Sequence, residues 1–348
     1  MDQIPDLYEK LRALLEKKPR KAAMFTHPTP DPDGIGSMMA MSWLLSHYAI
    51  ESTGFYCGEV SHPQNMAVVN LLDPGIYPFS EYTKTTDQYD FKILLDTVPS
   101  HAGTGEQKLT FDLIIDHHKD PTNGYAGLLI NLNAGSCCAT VYSLIEKLGF
   151  QFEDSDRDKR VVTALMAGIS TDTETLMSEE TTEYEFRAWQ KLFDFRDPEA
   201  LKKIVNYKRP KFWVNAEAEA VQSTVVTDGV AVVGLGIIPA KHRDCIADMA
   251  GRLVTWEEVN TGIVFALVDG NRIEGSVRST NVSVIVPDLC KKLGGKHGQG
   301  GGRRGKGAYR YELAGASVEE EDDEETRLKV WELYQGKEAK RIRRILSN

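Results

Sequence analysis

Residues 111–118 read Phe-Asp-Leu-Ile-Ile-Asp-His-His, a short apolar run that ends abruptly on Asp116, His117 and His118. Two other segments end the same way. KAAMFT (21–26) is followed by His27, Asp31 and Asp33, and FKILL (91–95) by Asp96. Nearly continuous apolar runs of this length, without polar alternation, are expected of strands covered on both faces of a mostly parallel sheet. Open sheets of that kind bind ligands beyond the carboxyl ends of their strands, so the three polar ends are expected to share one crevice.

Around these runs, residues 34–48, 137–149 and 157–170 have helical spacing, and Gly149 supplies a stop signal. The expected fold class is α/β: a doubly wound, mostly parallel sheet over residues 1–190. Residues 191–220 are charged, helical in pattern and contain Pro198 and Pro210, as in a helical linker. Beyond it, residues 230–240, 262–268 and 272–279 read as strands. Residues 242–256 read as a helix, and 282–294 as a helix or a strand-helix hybrid. Residues 221–348 are therefore a smaller α+β domain, with an acidic run at 319–325 expected to be solvated and a basic tail able to pair with it.

A length of 348 residues suits two domains. No apolar run is long enough to span a bilayer. At the N-terminus acidic residues are mixed with Leu7, Leu11, Leu14 and Leu15 at helical spacing, unlike a signal peptide, and a cytoplasmic protein with an amphipathic first helix is expected. Cys57, Cys137, Cys138, Cys245 and Cys290 show no CxxC spacing and read as buried thiols. A net charge of -10 argues against binding long duplex nucleic acid, which needs many cations facing phosphates. A polyanion must instead meet a local patch, and residues 291–310 hold seven Lys/Arg and no acid. No heptad or apolar patch supports a homodimer, which stays open.

A single Asp after a strand is usually a cap or a turn former. Several converging carboxylates repel one another and call for cations, and the polar ends that follow these strands hold no Lys or Arg before Lys119. Metal is the natural counter-charge, and mixed imidazole and carboxylate donors suit Mn²⁺, Zn²⁺ or Fe²⁺ better than Ca²⁺. In PDPDGIGS, Asp31 and Asp33 can present carboxylates while Gly34 and Gly36 allow a tight turn into a helix.

With these residues the chain resembles the DHH phosphoesterases. His27 with Asp31-Pro-Asp33 looks like the first motif, Asp96 in ILLDT the second, Asp116-His117-His118 the third and Asp172 in GISTDT the fourth. The second domain is similar to the DHHA1 type through Arg278-Ser279 and the glycine-rich stretch around His297, although Lys296 and GQGGG depart from the more usual GGGHxxAAG. The resemblance implies two divalent ions, Mn²⁺ foremost, with Mg²⁺, Fe²⁺ or Zn²⁺ as alternatives. His27, Asp31 and Asp96 would hold one, and Asp33, Asp96, His117 and Asp172 the other, with Asp96 bridging. Asp116 would orient a histidine, and His118 would face the substrate phosphate. Arg278, Ser279, Gly295, His297 and Gly298 would capture substrate. The implied activity is that of the nanoRNase and pAp phosphatase group: hydrolysis of short oligoribonucleotides, pGpG, pApA or pAp to mononucleotides, with cyclic dinucleotides as further candidates. The rivals are an exopolyphosphatase or pyrophosphatase and, from another class, a non-catalytic nucleotide sensor. The sensor is disfavoured because every expected metal position is Asp or His.

Overall fold

The computed structural model describes residues 4–17, 21–104, 109–118, 125–313, 315, 317–319 and 322–347. Lys119 and part of the acidic run, residues 320–321, lie outside them. The chain divides into two compact units, Met1–Lys208 and Arg209–Asn348, so residues 191–208 belong with the first and 209–220 with the second.

The first unit runs α1 (Ile4–Glu16), β1 (Lys21–Phe25), α2 (Pro32–His47), β2 (Glu51–Tyr56), α3 (Pro63–Leu72), β3 (Ile76–Pro78), α4 (Phe79–Thr83), β4 (Phe91–Leu95), β5 (Leu113–Ile115), β6 (Leu128–Ile130), α5 (Cys137–Lys147), α6 (Asp156–Asp172), α7 (Glu183–Leu192) and α8 (Pro198–Val205). Its sheet has the order β3-β2-β1-β4-β5-β6 and every pairing is parallel. Alternate residues of the central strands go to opposite cores. Met24, Ile93, Leu95, Leu113 and Ile115 meet α2, α5 and α6 residues, whereas Phe25, Leu94 and Ile114 meet an aromatic group that includes Phe55, Tyr82 and Phe111. Both faces are buried, which is why the strands lack polar alternation. The strand order reverses between β1 and β4, and that switch point places the residues after both strands at one crevice.

The second unit runs α9 (Lys211–Ser223), β7 (Val225–Thr227), β8 (Val230–Ile238), α10 (Cys245–Leu253), β9 (Thr261–Val268), β10 (Arg272–Ser279), α11 (Val286–Gly294), β11 (Gln299–Arg303), β12 (Lys306–Glu312) and α12 (Glu324–Leu346). The sheet order is β11-β12-β10-β9-β8-β7, antiparallel except for β8 with β9, as befits an α+β unit. Residues 282–294, ambiguous in sequence, contain the helix α11. The basic tail lies in the helix whose first turn holds Glu324 and Glu325 of the acidic run, so those two acids and the tail occupy opposite ends of one helix. Its acidic start and basic end suit the helix dipole. Buried Glu338 fixes this helix, accepting from Tyr309 Oη at 2.8 Å, Tyr311 Oη at 2.6 Å and Arg341 Nε at 3.0 Å. Among the described residues, no helix is long and apolar enough to cross a membrane.

Candidate metal centre

After β1 the chain must leave a buried strand and start a helix within six residues. Asp31 caps α2, its Oδ1 accepting the amides of Asp33 and Gly34 at 3.0 Å each, and Pro32 fits the first helical turn. Asn65 steadies the loop by donating from Nδ2 to the Pro30 carbonyl at 2.8 Å. Gly34 is required by crowding: a Cβ there would lie 2.6 Å from Thr26 Oγ1 and 3.3 Å from Asp96 Oδ2. Asp96, directly after β4, has a left-handed backbone at φ 59, and its amide donates to the Ile115 carbonyl at 2.9 Å. Asp and Asn tolerate that conformation better than most residues.

Two ligand groups result, and Asp96 serves both. Its Oδ2 is 3.5 Å from His27 Nε2, which is itself 3.6 Å from Asp31 Oδ1. Its Oδ1 is 3.4 Å from His117 Nε2, which lies 3.3 Å from Asp172 Oδ2 and 3.8 Å from Asp33 Oδ2. In each of the groups His27–Asp31–Asp96 and Asp33–His117–Asp172, one donor atom per residue falls within 4.8 Å of the others. His118 joins Asp96 and His117 in a third such group.

The supports of this cluster carry little sequence signal. Asp33 is oriented by the start of α5, where the amides of Cys137 and Cys138 donate to its two oxygens at 2.6 and 2.8 Å. Ser136 caps that helix through Oγ, and fully buried Glu185 holds the preceding loop by accepting the Gly135 amide at 2.9 Å. Helices α2 and α6 approach closely at glycines. A Cβ on Gly168 would sit 2.5 Å from Cys138 Sγ, 2.8 Å from Asp33 Cα and 2.9 Å from the Pro32 carbonyl oxygen. Asp172 ends α6, and the next turn is left-handed at Glu174, Thr175 and Leu176, fastened by the Thr175 amide to the Ser170 carbonyl at 2.8 Å. Glycine spacing and the Ser-Cys-Cys helix start were the available clues.

The electrostatics are those of a cation site. Burial, and then the charge of Asp96, push Asp33 up to about 7; burial and neighbouring carboxylates raise Asp172 well above its ordinary range. Burial alone would lower both imidazoles, yet the carboxylates outweigh it: His117 is pushed up to about 10 and His27 well above its usual value. Burial would raise Asp96, but His117 and His27 outweigh it and hold the carboxyl below its usual value. Asp96 Oδ1 and His117 Nε2 are buried without a hydrogen bond, although both face the same small space. Divalent cations fit this set, since they would take the orphaned atoms as ligands and replace protons as counter-charge. His27, Asp31 and Asp96, and Asp33, Asp96, His117 and Asp172, are the residues able to hold them.

Asp116 is fully buried and its Oδ1 is 2.8 Å from Nδ1 of exposed His118, so the histidine it orients is His118. That bond is the leading cause that raises the His118 pKa. Asn131 fixes the same residue by donating to its carbonyl at 2.9 Å.

In the second unit the expected substrate residues do not gather at one point. Arg278 lies opposite Lys306 on β12, whereas a Cβ on Gly298 would touch the Arg310 carbonyl and the Tyr311 side chain. Four positions of β12, roughly 13 Å, separate those places. Arg278 Nη1 donates to Ser276 Oγ at 2.9 Å, and Ser279 Oγ is bonded within its own sheet, to Thr261 Oγ1 at 2.8 Å. Gly295 has a positive φ of 71 and ends α11, and His297 is exposed. Tyr309 is packed in the core. Cys137, Cys138, Cys245 and Cys290 are buried free thiols, while Cys57 is half-buried.

Residues 21–169 match the model of the DHH family, N-terminal domain. An uncharacterised protein of Methanocaldococcus jannaschii is 29% identical over 307 residues, covering 87% of this chain and 60% of that protein. One of Mycoplasma genitalium is 26% identical over 180 residues, covering 50% of this chain and 51% of that protein. The chain thus spans about half to three-fifths of these curated relatives. Among solved structures, an exopolyphosphatase-related protein from Bacteroides fragilis superposes with a TM-score of 0.70 at 16% identity, covering 99% of this chain and 100% of that one. RecJ from Thermus thermophilus, in complex with Mn²⁺, superposes with a TM-score of 0.51 at 14% identity, covering 97% of this chain and 55% of that one. At these identities the likeness is one of fold.

Proposed function

We propose that this chain, whose residues 21–169 match the model of the DHH family, N-terminal domain, is a metal-dependent phosphoesterase of the nanoRNase and pAp phosphatase kind. It hydrolyses short 5′-phosphorylated oligoribonucleotides, linear dinucleotides such as pGpG and pApA, or pAp, and releases mononucleotides. The observation that carries this reading is one carboxylate, Asp96, whose two oxygens face two separate histidine-carboxylate groups at 3.4 and 3.5 Å.

When bound there, two divalent ions supply Lewis acidity that offsets charge on a phosphoryl oxygen and makes water nucleophilic at neutral pH. The chain's own residues do the rest. The α5 amides hold Asp33 in one orientation, the Asp31 cap fixes the start of α2, and Gly34, lacking a Cβ, lets that start approach Asp96. With Nδ1 of His118 donating to Asp116, Nε2 is the nitrogen left for substrate. The Asp116 bond raises the His118 pKa and so favours a proton on that atom, for a hydrogen bond to a phosphoryl oxygen or transfer to the leaving oxygen. The second unit serves as a DHHA1-type substrate domain.

The test is a panel of pGpG, pApA, pAp, cyclic dinucleotides, a long structured RNA, pyrophosphate and polyphosphate, each titrated with Mn²⁺, Mg²⁺ and Zn²⁺. Fastest release from the linear dinucleotides or pAp is expected. Polyphosphate as the best substrate would replace this reading with the exopolyphosphatase one. Asp96→Asn should lower metal-dependent release by about 10³-fold or more, the rate equivalent of several kcal/mol, with the far-UV circular dichroism spectrum kept.

A further inference from the structure

We propose that the cleft between α1, α5 and α7 is a binding site for a nucleoside, through its flat heteroaromatic ring with hydrogen-bonding groups on the edge. The cleft lies wholly within the first unit, has a volume of about 480 Å³ and is walled by Tyr8, Tyr142, Tyr184 and Phe186. Small-molecule sites run from roughly 300 to 1,000 Å³. None of its residues belongs to the metal centre. Helix α5 holds Asp33 with its first amides and gives Tyr142 and Ser143 to the cleft from later turns, so such a site exists whatever the metal centre hydrolyses.

Rings gathered between packed elements ordinarily lie on one another, as Phe25, Phe55 and Tyr82 do in the core, with centroids 4.9 to 5.8 Å apart. The four rings of the cleft do not: among the described residues none of them makes a ring contact. Their faces are left for a guest, and Phe186 is 57% exposed. Every nucleobase offers a π face to such rings.

The polar groups favour a base over a purely apolar ring. Tyr142 is buried, and burial pushes its phenol up to about 12, so it stays a neutral donor. Among the described residues its hydroxyl has no hydrogen-bond partner, although buried phenols usually find one. Tyr184 Oη likewise has none among them. Tyr8 Oη and Ser143 Oγ meet only at 3.4 Å, and Gln190 brings to the rim an amide that both donates and accepts. A base edge, with donors and acceptors side by side, pairs with these groups. The charges balance: Glu146 meets Arg187 Nε at 2.8 Å, and the remaining acid and base of the lining, Glu183 and Lys147, are equal in number. Such walls suit an uncharged nucleoside better than a polyphosphate or a quaternary amine.

The experiment measures equilibrium binding of adenosine, guanosine, cytidine and uridine to the full chain in EDTA by calorimetry, with indole and choline as comparison ligands. At least one nucleoside should bind with a Kd of about 1 mM or tighter, and more tightly than indole or choline. Phe186→Ala should weaken that nucleoside about tenfold, the worth of one base–aromatic stack. Tyr142→Phe, which removes one oxygen and no packing, should weaken it about fivefold, the worth of one hydrogen bond, and leave the thermal melt unchanged. A melt of Phe186→Ala verifies its folding. Tyr77→Ala, at an exposed ring on β3, is the control for non-specific stacking. Absence of nucleoside binding at that strength, indole or choline bound as tightly, unaltered affinity in either cleft variant, or an equal loss in Tyr77→Ala would overturn the proposal. Nucleoside binding that both cleft variants weaken, in a chain that hydrolyses none of the substrate panel, would sink the phosphoesterase reading while the cleft stood. Hydrolysis without nucleoside binding would do the reverse.

Discussion

Gly168→Ala tests whether helix contact sets the metal geometry. The added methyl would meet Cys138 Sγ at 2.5 Å, Asp33 Cα at 2.8 Å and the Pro32 oxygen at 2.9 Å, where ordinary contact begins at 3.4 Å. Two of these are backbone atoms of the segment that carries Asp33, so α2 and α6 must part by roughly 0.5 to 0.6 Å, while Cys138 Sγ on α5 must give by about 0.9 Å. Overpacking of this kind costs about 1–3 kcal/mol, offset by up to about 1 kcal/mol of better helix propensity. The net loss of about 1–2 kcal/mol corresponds to roughly 2–8 °C in Tm for a unit of this size. Asp172 moves with α6 and Asp33 with α2, and ligand constellations work only within about 0.5 Å of their best geometry. Metal affinity should therefore fall about tenfold or more, beyond what the stability loss explains. Thermal melts with and without Mn²⁺, together with a metal titration by calorimetry, read both quantities. A variant with wild-type Tm and wild-type Mn²⁺ affinity would refute the claim that this contact positions the ligands.

Metal binding should strengthen as pH rises from 6 to 8 and release protons, because His117, pushed up to about 10, and Asp33, at about 7, hold protons that a cation must displace. The same raised values make the metal-free protein less stable as pH climbs: the native state binds the extra protons, and that advantage fades as pH passes upward through the folded values. Melts across pH, and calorimetry in buffers of different ionisation heat, check both signs; affinity flat in pH contradicts them. Asp116→Asn should lower kcat about 10- to 100-fold and move the alkaline limb of the pH–rate profile downward, as His118 loses the partner that raises its pKa; an unmoved limb assigns that limb to another group. Glu338→Ala should cost about 3 kcal/mol, since two tyrosine hydroxyls and Arg341 lose one buried acceptor, and denaturant unfolding measures it.

The strands β1, β4 and β5 and the helices α2, α5 and α6 were legible because burial on two faces leaves continuous apolar runs and helix packing leaves a period. Strand β2 was not: it begins Glu-Ser-Thr and includes Gly54, and β3 is an Ile-Tyr-Pro stretch with no apolar run to mark it. The helix α12 was hidden by its own core position. Trp331, Tyr334, Ile342 and Ile345 have helical spacing, but the middle of that stripe is Glu338, buried because its partners are tyrosine hydroxyls from β12. At the metal centre, residue type and strand-end position sufficed to nominate the donors. Their supports were invisible, because the α5 amides on Asp33 are backbone groups, and Glu185 lies far along the chain.

The left-handed backbone at Asp96 also constrains how this position can drift. A copy of the chain freed from catalysis would lose the pressure for a carboxylate but keep the turn, which asparagine or glycine fills without strain and alanine or glutamate does not. Decayed descendants are therefore expected to carry Asn or Gly at 96. An alignment that finds either there marks lost turnover in a protein that still folds.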